Sequence, residues 1–320
     1  MDKSISAIAN EITAFEEYFK SAVKSRVPLL DRIMRYIVNR KGKQLRPKFV
    51  LLSAKLGGEI NVSTLRAASL VELLHTATLV HDDVVDDSAQ RRGFFSINAL
   101  WKNKVAVLVG DYLLAKGLLL SLDNNDFEVL KILSEAVKMI SEGELLQLEK
   151  ARNLNVHEDV YYEIIKGKTA SLLSSACAAG ACTTFNDADK ITKLKLFGEK
   201  TGMAFQIKDD LFDYENESIG KPTGNDIKEK KLTLPIIYTL NNSDKALRRK
   251  MIFILKNENT NKQKIKFIID IVKQTGGIDY ATKKMFSFRD EALSILNEFP
   301  KTDVRDALEQ LVRYTTDRTY

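Results

Sequence analysis

Apolar residues recur along this chain at steps of about three and four, the period of an amphipathic helix, nearly from end to end. The pattern predicts helices over about Ile5–Lys24, Leu29–Val38, Pro47–Leu56 and Ser63–Asp87. Others follow at about Lys104–Leu122, Phe127–Ala151, Val156–Gly180 and Lys190–Tyr214. From Leu232 onward, further helices break near Asn241–Ser243, Gly276–Gly277 and Pro300. Two polar stretches stand out as loops. Asn39–Leu45 leads to Pro47, which suits the first turn of the next helix. Glu215–Asn225 is the most turn-like part of the chain. No segment shows strand alternation, so the expectation is an all-α bundle of antiparallel helices.

Composition strengthens that expectation. No proline lies between Pro47 and Pro222, and proline is the residue that breaks helices. An apolar content of 44% excludes a disordered chain. No shift in composition or tandem repeat marks a border, so one domain over 1–320 is expected. The stretch Val105–Leu122 is broken by Asp111 and Lys116, which argues against a membrane span. The start, MDKSISAIAN, has no secretory pattern. Cys177 and Cys182 lie five apart in a helical segment, a spacing that favours neither a disulfide nor a metal site. A reduced, cytoplasmic setting is the simplest reading.

Candidate chemistry begins with two acidic clusters. His81 precedes Asp82-Asp83-Val84-Val85-Asp86-Asp87, and far downstream comes Asp209-Asp210-Leu211-Phe212-Asp213. Both have the form DDxxD and both end an apolar helix. Asp82 and Asp86 share a helix face, as do Asp209 and Asp213, and like charges at that spacing repel. Two such clusters call for a counterion. Carboxylates without His or Cys partners favour a hard cation, and Mg2+ uses one or two carboxylates together with waters and phosphate oxygens. His75 lies two helical turns before Asp82, on the same stripe with about 20° of drift.

Basic residues stand where an anion needs them. Lys43 and Arg46 enter a helix, Arg91-Arg92-Gly93 follows the first cluster, Lys166-Gly167-Lys168-Thr169 interrupts an apolar helix, and Lys221 and Lys231 follow the second cluster. Arg grips phosphate oxygens bidentately and Lys acts as a mobile point charge. With metal-binding carboxylates these describe a cavity for a polyanion, diphosphate first among candidates. The net charge of +6 does not imply nucleic acid, because no basic stripe interleaved with aromatics accompanies it.

At this point the chain resembles a trans-isoprenyl diphosphate synthase of the polyprenyl synthetase family. The resemblance rests on ordered motifs over about 40 to 235. They are Gly42-Lys43-x-x-Arg46-Pro47, Glu72 to Asp86 with His75 inside it, Arg91-Arg92-Gly93, Val109-Gly-Asp111-Tyr-Leu and Gly167-Lys168-Thr169-Ala-Ser-Leu. Phe205-Gln206 to Asp213, Gly220-Lys221-Pro-x-Gly-x-Asp226 and Lys231-Leu-Thr-Leu-Pro235 complete the series. It implies an all-α fold around a central cavity, and a homodimer. It implies that Lys43, Arg46, His75 and Arg92 hold isopentenyl diphosphate. Arg91, Lys168, Thr169, Gln206, Lys221 and Lys231 serve an allylic diphosphate. Asp82, Asp86 and Asp209 hold Mg2+, three ions per active site, with Asp83, Asp210 and Asp213 in the same catalytic set. A transient membrane contact for product release is compatible with the sequence, which does not decide the route.

In this family, bulk on the helix before the first cluster limits product length. Here Ala77 and Thr78 occupy those positions, where short-chain members often carry an aromatic group, so a long product of about octaprenyl length is expected for a quinone side chain. Ala77 as a plain helix-packing residue is the competing reading. At the level of function the alternatives are a short-chain farnesyl or geranylgeranyl diphosphate synthase, a class I terpene cyclase and a non-catalytic synthase subunit. Asp209–Asp213 with Glu217 partly fits the cyclase's second metal motif. A partner subunit commonly loses an aspartate cluster, and both are intact here.

Overall fold

The computed structural model describes residues 6–39, 42–91, 93–154, 157–214 and 224–318. These residues are helical almost throughout, as the periodicity predicts. In chain order the helices are α1 (Ala9–Ala22), α2 (Pro28–Val38), α3 (Leu45–Lys55), α4 (Val62–Val85), α5 (Ile97–Leu122), α6 (Phe127–Asn153), α7 (Glu158–Ile165) and α8 (Ser171–Ala181). They continue as α9 (Ala188–Phe212), α10 (Asn225–Lys228), α11 (Leu234–Asn242), α12 (Lys245–Asn257), α13 (Lys262–Gln274), α14 (Gly277–Leu296) and α15 (Asp303–Asp317). The chain divides into two compact units: Met1–Val137 with Ser175–Lys195 and Lys301–Leu308, and Lys138–Ser174 with Leu196–Pro300 and Glu309–Tyr320.

In the first unit, α4 starts on a capping box in which Asn61 and Thr64 satisfy each other's exposed backbone groups. It buries Leu70, Leu73, Leu74 and Ala77 completely. Its main partner is α5. Two glycines of α5 allow the close approach: a Cβ on Gly110 would lie 2.1 Å from His81 Nε2, and one on Gly117 would lie 2.7 Å from Leu70 Cδ1. Gly180 of α8 lets that helix meet α3 with no side chain in between, since a Cβ there would sit 2.1 Å from the Val50 carbonyl oxygen. A backbone atom cannot turn aside as a side chain can. Gly180→Ala is therefore expected to cost about 2–3 kcal/mol. A urea melt would show the loss, and a midpoint equal to wild type would contradict this packing.

Three features depart from the helical reading. Gln90–Arg91 pairs antiparallel with Phe94–Phe95, a ribbon too short to show alternation in the sequence. Gly93 turns it at φ 79°, and Ser96 Oγ donates to the Ser88 carbonyl at 2.6 Å to close its base. Helix α5 starts at Ile97 rather than near Lys104, and Lys102 breaks its ladder at φ 74°. By length and composition α5 could cross a membrane. Here one side of it packs on α4, while Val107, Leu108, Leu119 and Leu122 stay exposed on this chain.

The predicted helix Val156–Gly180 is not one helix over its described residues, which start at His157. Lys166–Ala170 is a π-turn between α7 and α8. Gly143 and Gly167 seat it against α6: a Cβ on Gly143 would lie 2.7 Å from the Lys168 amide nitrogen, and one on Gly167 would lie 2.9 Å from the Met139 carbonyl oxygen. Met203, Ile207 and Leu211 of α9 join Leu234 and Ile237 of α11, Ile254 of α12 and Ile268 of α13 in one apolar core.

Candidate active site

The first acidic cluster lies in the last turn of α4, and its carboxylates differ sharply. Asp83 is buried and accepts from Arg91 Nε at 2.7 Å. Burial pushes its carboxyl above the usual range, and the Arg91 guanidinium opposes that shift. Its backbone carbonyl accepts from Asn98 Nδ2 at 3.0 Å. Asp83 is thus tied down on both sides. Asp82 is half-buried, and Asp86 is exposed where the helix ends. Asp82 and Asp86 are four residues apart as the spacing predicts, and Asp87 beyond them is exposed as well.

A cavity of about 280 Å3 opens in the same unit, walled by Gly42, Gln44, Glu72, His75, Asp83 and Arg91 among others. His75 is buried, and its Nε2 lies 2.9 Å from Arg46 Nη1. Since a guanidinium only donates, the ring presents a bare nitrogen to Arg46 and carries its proton on Nδ1 if neutral. Lys43 is exposed next to this wall. Lys43, Arg46 and His75 thus occupy one unit with the first cluster. The resemblance assigns Arg91 to the allylic diphosphate. The ribbon folds it back onto Asp83, so it lines the His75 cavity rather than the one that holds Lys168. Arg92 lies outside the described residues.

Ala77 is fully buried and does not line this cavity. Leu70, Leu73, Ala77 and His81 form one helical stripe, and the α5 glycines meet Leu70, Leu73 and His81 of that stripe. Thr78 Oγ1 donates to the His75 carbonyl at 2.8 Å and is also off the cavity wall.

The second cluster ends α9. A cavity of about 130 Å3 is lined by Gln147, Lys168, Thr169, Gln206, Asp210, Asp226 and Lys231 among others. The π-turn brings Lys168 and Thr169 to this wall. Lys168 Nζ pairs with Glu144 at 2.6 Å. Thr169 Oγ1 donates to Gln206 Oε1 at 2.7 Å, and Gln206 Nε2 donates to Asp210 Oδ1 at 2.8 Å. Asp210 is buried, and burial raises its carboxyl to about 6 against the pull of Tyr161 and Gln206. Lys231 pairs with Glu229.

Asp209 stays 40% exposed and meets Arg318 Nη2 at 2.5 Å. That guanidinium also stacks on Phe205 at 4.1 Å. Asp213 meets backbone groups. Its two carboxylate oxygens accept the backbone N–H groups of Asn225 at 2.8 Å and Asp226 at 3.1 Å, and its carbonyl accepts from Gly224 at 3.2 Å. It is a backbone clamp for α10. Lys221 and Glu217 lie outside the described residues.

Three residues escaped the sequence reading. Tyr161 donates to Asp210 Oδ2 at 2.6 Å from a buried position. Burial and the Asp210 charge push its phenol well up, so it stays a donor. Asp226 belongs to a quoted motif but had no role. It is pushed up to about 8 by burial first, then by Asp210 and Asp213, with Lys231 opposing. Arg318 gave no signal at all. Of these, Asp226 was the one within reach, inside a motif already quoted.

Among the described residues, no three His, Cys, Asp or Glu side chains form a ready metal cage. What each helix end offers is fewer, hard oxygen donors: Asp82 with Asp86, and Asp209. That donor set fits a divalent ion that keeps waters and takes phosphate oxygens.

All-helical units that carry such carboxylate ends beside lysine, arginine and amide groups define a class of diphosphate-handling enzymes. The chain belongs to the polyprenyl synthetase family, whose model matches residues 27–272, and it is a prenyltransferase. It is 36% identical to an all-trans-nonaprenyl-diphosphate synthase (geranyl-diphosphate specific) of Rhodobacter capsulatus, over 98% of this chain and 97% of that one. It is 34% identical to heptaprenyl diphosphate synthase component 2 of Bacillus subtilis, over 98% and 90%. Among solved structures, the polyprenyl synthase of Caulobacter crescentus complexed with calcium and isoprenyl diphosphate matches with a TM-score of 0.92. That match is at 32% identity and covers 100% of this chain and 98% of that one.

Proposed function

We propose that this prenyltransferase adds isopentenyl diphosphate repeatedly to an allylic diphosphate and releases an all-trans product of about octaprenyl length. The observation that carries this is the paired chemistry of the two units. One holds Asp82 and Asp86 with a cavity of Arg46, His75 and Arg91, and the other holds Asp209 with a cavity of Lys168, Thr169, Gln206 and Lys231. The related names on either side of eight units, nonaprenyl and heptaprenyl, support the length. The Caulobacter complex supports a divalent ion with an isoprenyl diphosphate.

We assign Asp82, Asp86 and Asp209 to Mg2+, three ions per site. Bound, these ions supply Lewis-acid stabilisation of the leaving diphosphate. Lys168 and Lys231 neutralise the diphosphate of the allylic substrate, with Lys221 in the same set. The allylic C–O bond breaks and its electron pair leaves with the diphosphate. Apolar walls keep water from the carbocation that remains. Arg46, His75 and Lys43 hold isopentenyl diphosphate, with Arg92 in the same set. Its double bond attacks the cation to form the new C–C bond, and a proton leaves to the released diphosphate. His75→Ala should raise KM for isopentenyl diphosphate about tenfold, with KM for the allylic substrate unchanged. Steady-state kinetics with each substrate varied in turn checks this, and a change confined to the allylic side would reverse the assignment.

A second copy covering the exposed apolar side of α5 accounts for Val107, Leu108, Leu119 and Leu122, so a homodimer is proposed. The relative named component 2 favours a second reading, a subunit that works with a different partner. We also propose a cytoplasmic location, a setting that suits the two free thiols Cys177 and Cys182. Incubating the purified chain alone with Mg2+, labelled isopentenyl diphosphate and farnesyl diphosphate separates the readings. Chromatography should show a product of about eight isoprene units. A short product supports the short-chain alternative, a cyclic hydrocarbon a cyclase, and no product the two-component reading.

A further inference from the structure

The positive charge of this chain is gathered in one place. Residues 244–273, which span α12 and α13 with the Asp244 cap, hold nine Lys and Arg against three Asp and Glu. Their net charge of +6 equals that of the whole chain, so the other 290 residues balance. Two of the three acids are already engaged. Asp244 caps α12 by accepting from the Leu247 N–H at 2.8 Å, and Glu258 pairs with Lys264 at 3.4 Å. Among the described residues, Lys245, Arg249, Lys256, Lys262 and Lys266 meet no carboxylate, and all five are exposed. On α12 helical phase sorts the side chains. Met251, Ile254 and Leu255 are buried in the core, while Lys245, Arg249, Phe253 and Lys256 follow at steps of four, four and three on the opposite side. Phe253 is 56% exposed. Lys250 Nζ stands 4.1 Å from the centre of the Phe267 ring, which sets α12 beside α13.

We propose that this outer face of α12, with the lysines of α13 beside it, docks on an anionic lipid surface. The core already uses the apolar side of α12, so that side is not available to enter a bilayer. The contact is therefore electrostatic, and Phe253 alone enters the headgroup layer. A lipid surface suits this face better than a nucleic acid does, for two reasons. The cations stand on the convex outside of a helix rather than in a groove that could track a strand. A single exposed aromatic also gives no stacking series for bases. The use of the contact rests on the long-chain reading above: a product of about eight isoprene units is nearly all hydrocarbon, and a docked enzyme shortens its path through water. The surface itself stands on its charges and is tested without any turnover.

Sedimentation of the full chain with lipid vesicles is the test. In about 0.1 M salt the chain should bind vesicles of phosphatidylcholine mixed with phosphatidylglycerol at least about tenfold more tightly than vesicles of phosphatidylcholine alone. Raising the salt to about 0.5 M should release it. Lys245→Glu combined with Arg249→Glu should weaken binding to the mixed vesicles about tenfold or more, and Phe253→Ser about threefold, with the circular dichroism melt of each near wild type. If the charge reversal prevents folding, Lys245→Gln with Arg249→Gln replaces it, with a loss of about fivefold expected. Equal binding to both kinds of vesicle would place the contact on an apolar surface such as that of α5, and binding to neither would make this a solvated face; either result overturns the proposal. An unchanged affinity in the charge variant or in Phe253→Ser overturns it as well. So does equally tight binding of single-stranded RNA, which would make the face a general polyanion site. A chain that binds the mixed vesicles but incorporates no isopentenyl diphosphate loses the long-chain reading and keeps the lipid contact, whereas an active chain that ignores the vesicles loses the contact alone.

Discussion

Asp82→Ala should lower turnover by roughly a thousandfold or more while the thermal midpoint moves by no more than about three degrees. The two halves of that expectation have separate causes. Asp82 is half-buried in the last turn of α4, four residues from Asp86. Like charges at that spacing repel, and alanine is the better helix former, so the fold loses little. Turnover collapses because the carboxylate assigned to the metal is gone. Asp83→Ala is the control that separates fold from chemistry. Asp83 is buried and paired with Arg91 at 2.7 Å, so its removal strands a partly buried guanidinium and should lower stability as well as activity. Steady-state rates and circular dichroism melts on the two variants make the comparison. Near-normal turnover in Asp82→Ala would remove it from the catalytic set.

Lys168→Ala should lower kcat/KM for the allylic diphosphate about a hundredfold and leave KM for isopentenyl diphosphate within about threefold. The π-turn sets Lys168 on the wall of the cavity with Thr169 and Gln206. Its Glu144 pair is 29% and 25% exposed on its two sides, so breaking it costs little stability. The lysine's value is the positive charge it brings to a diphosphate once substrate competes for it. Initial rates at saturating isopentenyl diphosphate check this. A loss below about threefold would show that Lys231 or other cations suffice.

How much of this was readable beforehand depends on how local each feature is. The helices were legible because their apolar stripes repeat at helical period, and both aspartate clusters were legible because they end such stripes. The π-turn showed itself as Lys166-Gly-Lys-Thr169 inside an apolar run, although its geometry did not. The ribbon at Gln90–Phe95 was invisible, because two-residue strands carry no alternation and are fixed by backbone bonds and Ser96. Arg91 could be recognised as an anion-binding candidate, but only the ribbon decides that it returns to Asp83. Each aspartate cluster looked uniform in sequence. Burial sorts its members: Asp83 and Asp210 anchor other side chains, Asp213 clamps backbone, and Asp82, Asp86 and Asp209 remain accessible to differing degrees. Partners far off in sequence, such as Arg318 at Asp209 and Tyr161 at Asp210, have no local signature.

The most direct test of the account is a calorimetric titration of the chain with inorganic diphosphate, with and without Mg2+. Carboxylates alone repel such an anion, and carboxylates that hold a divalent ion attract it. Binding should be strong with Mg2+, at least about tenfold weaker with EDTA, and similarly weakened in Asp82→Ala and Asp209→Ala even when Mg2+ is present. Equal affinity with and without the metal, or full affinity in both variants, would contradict the claim that these helix ends grip diphosphate through metal.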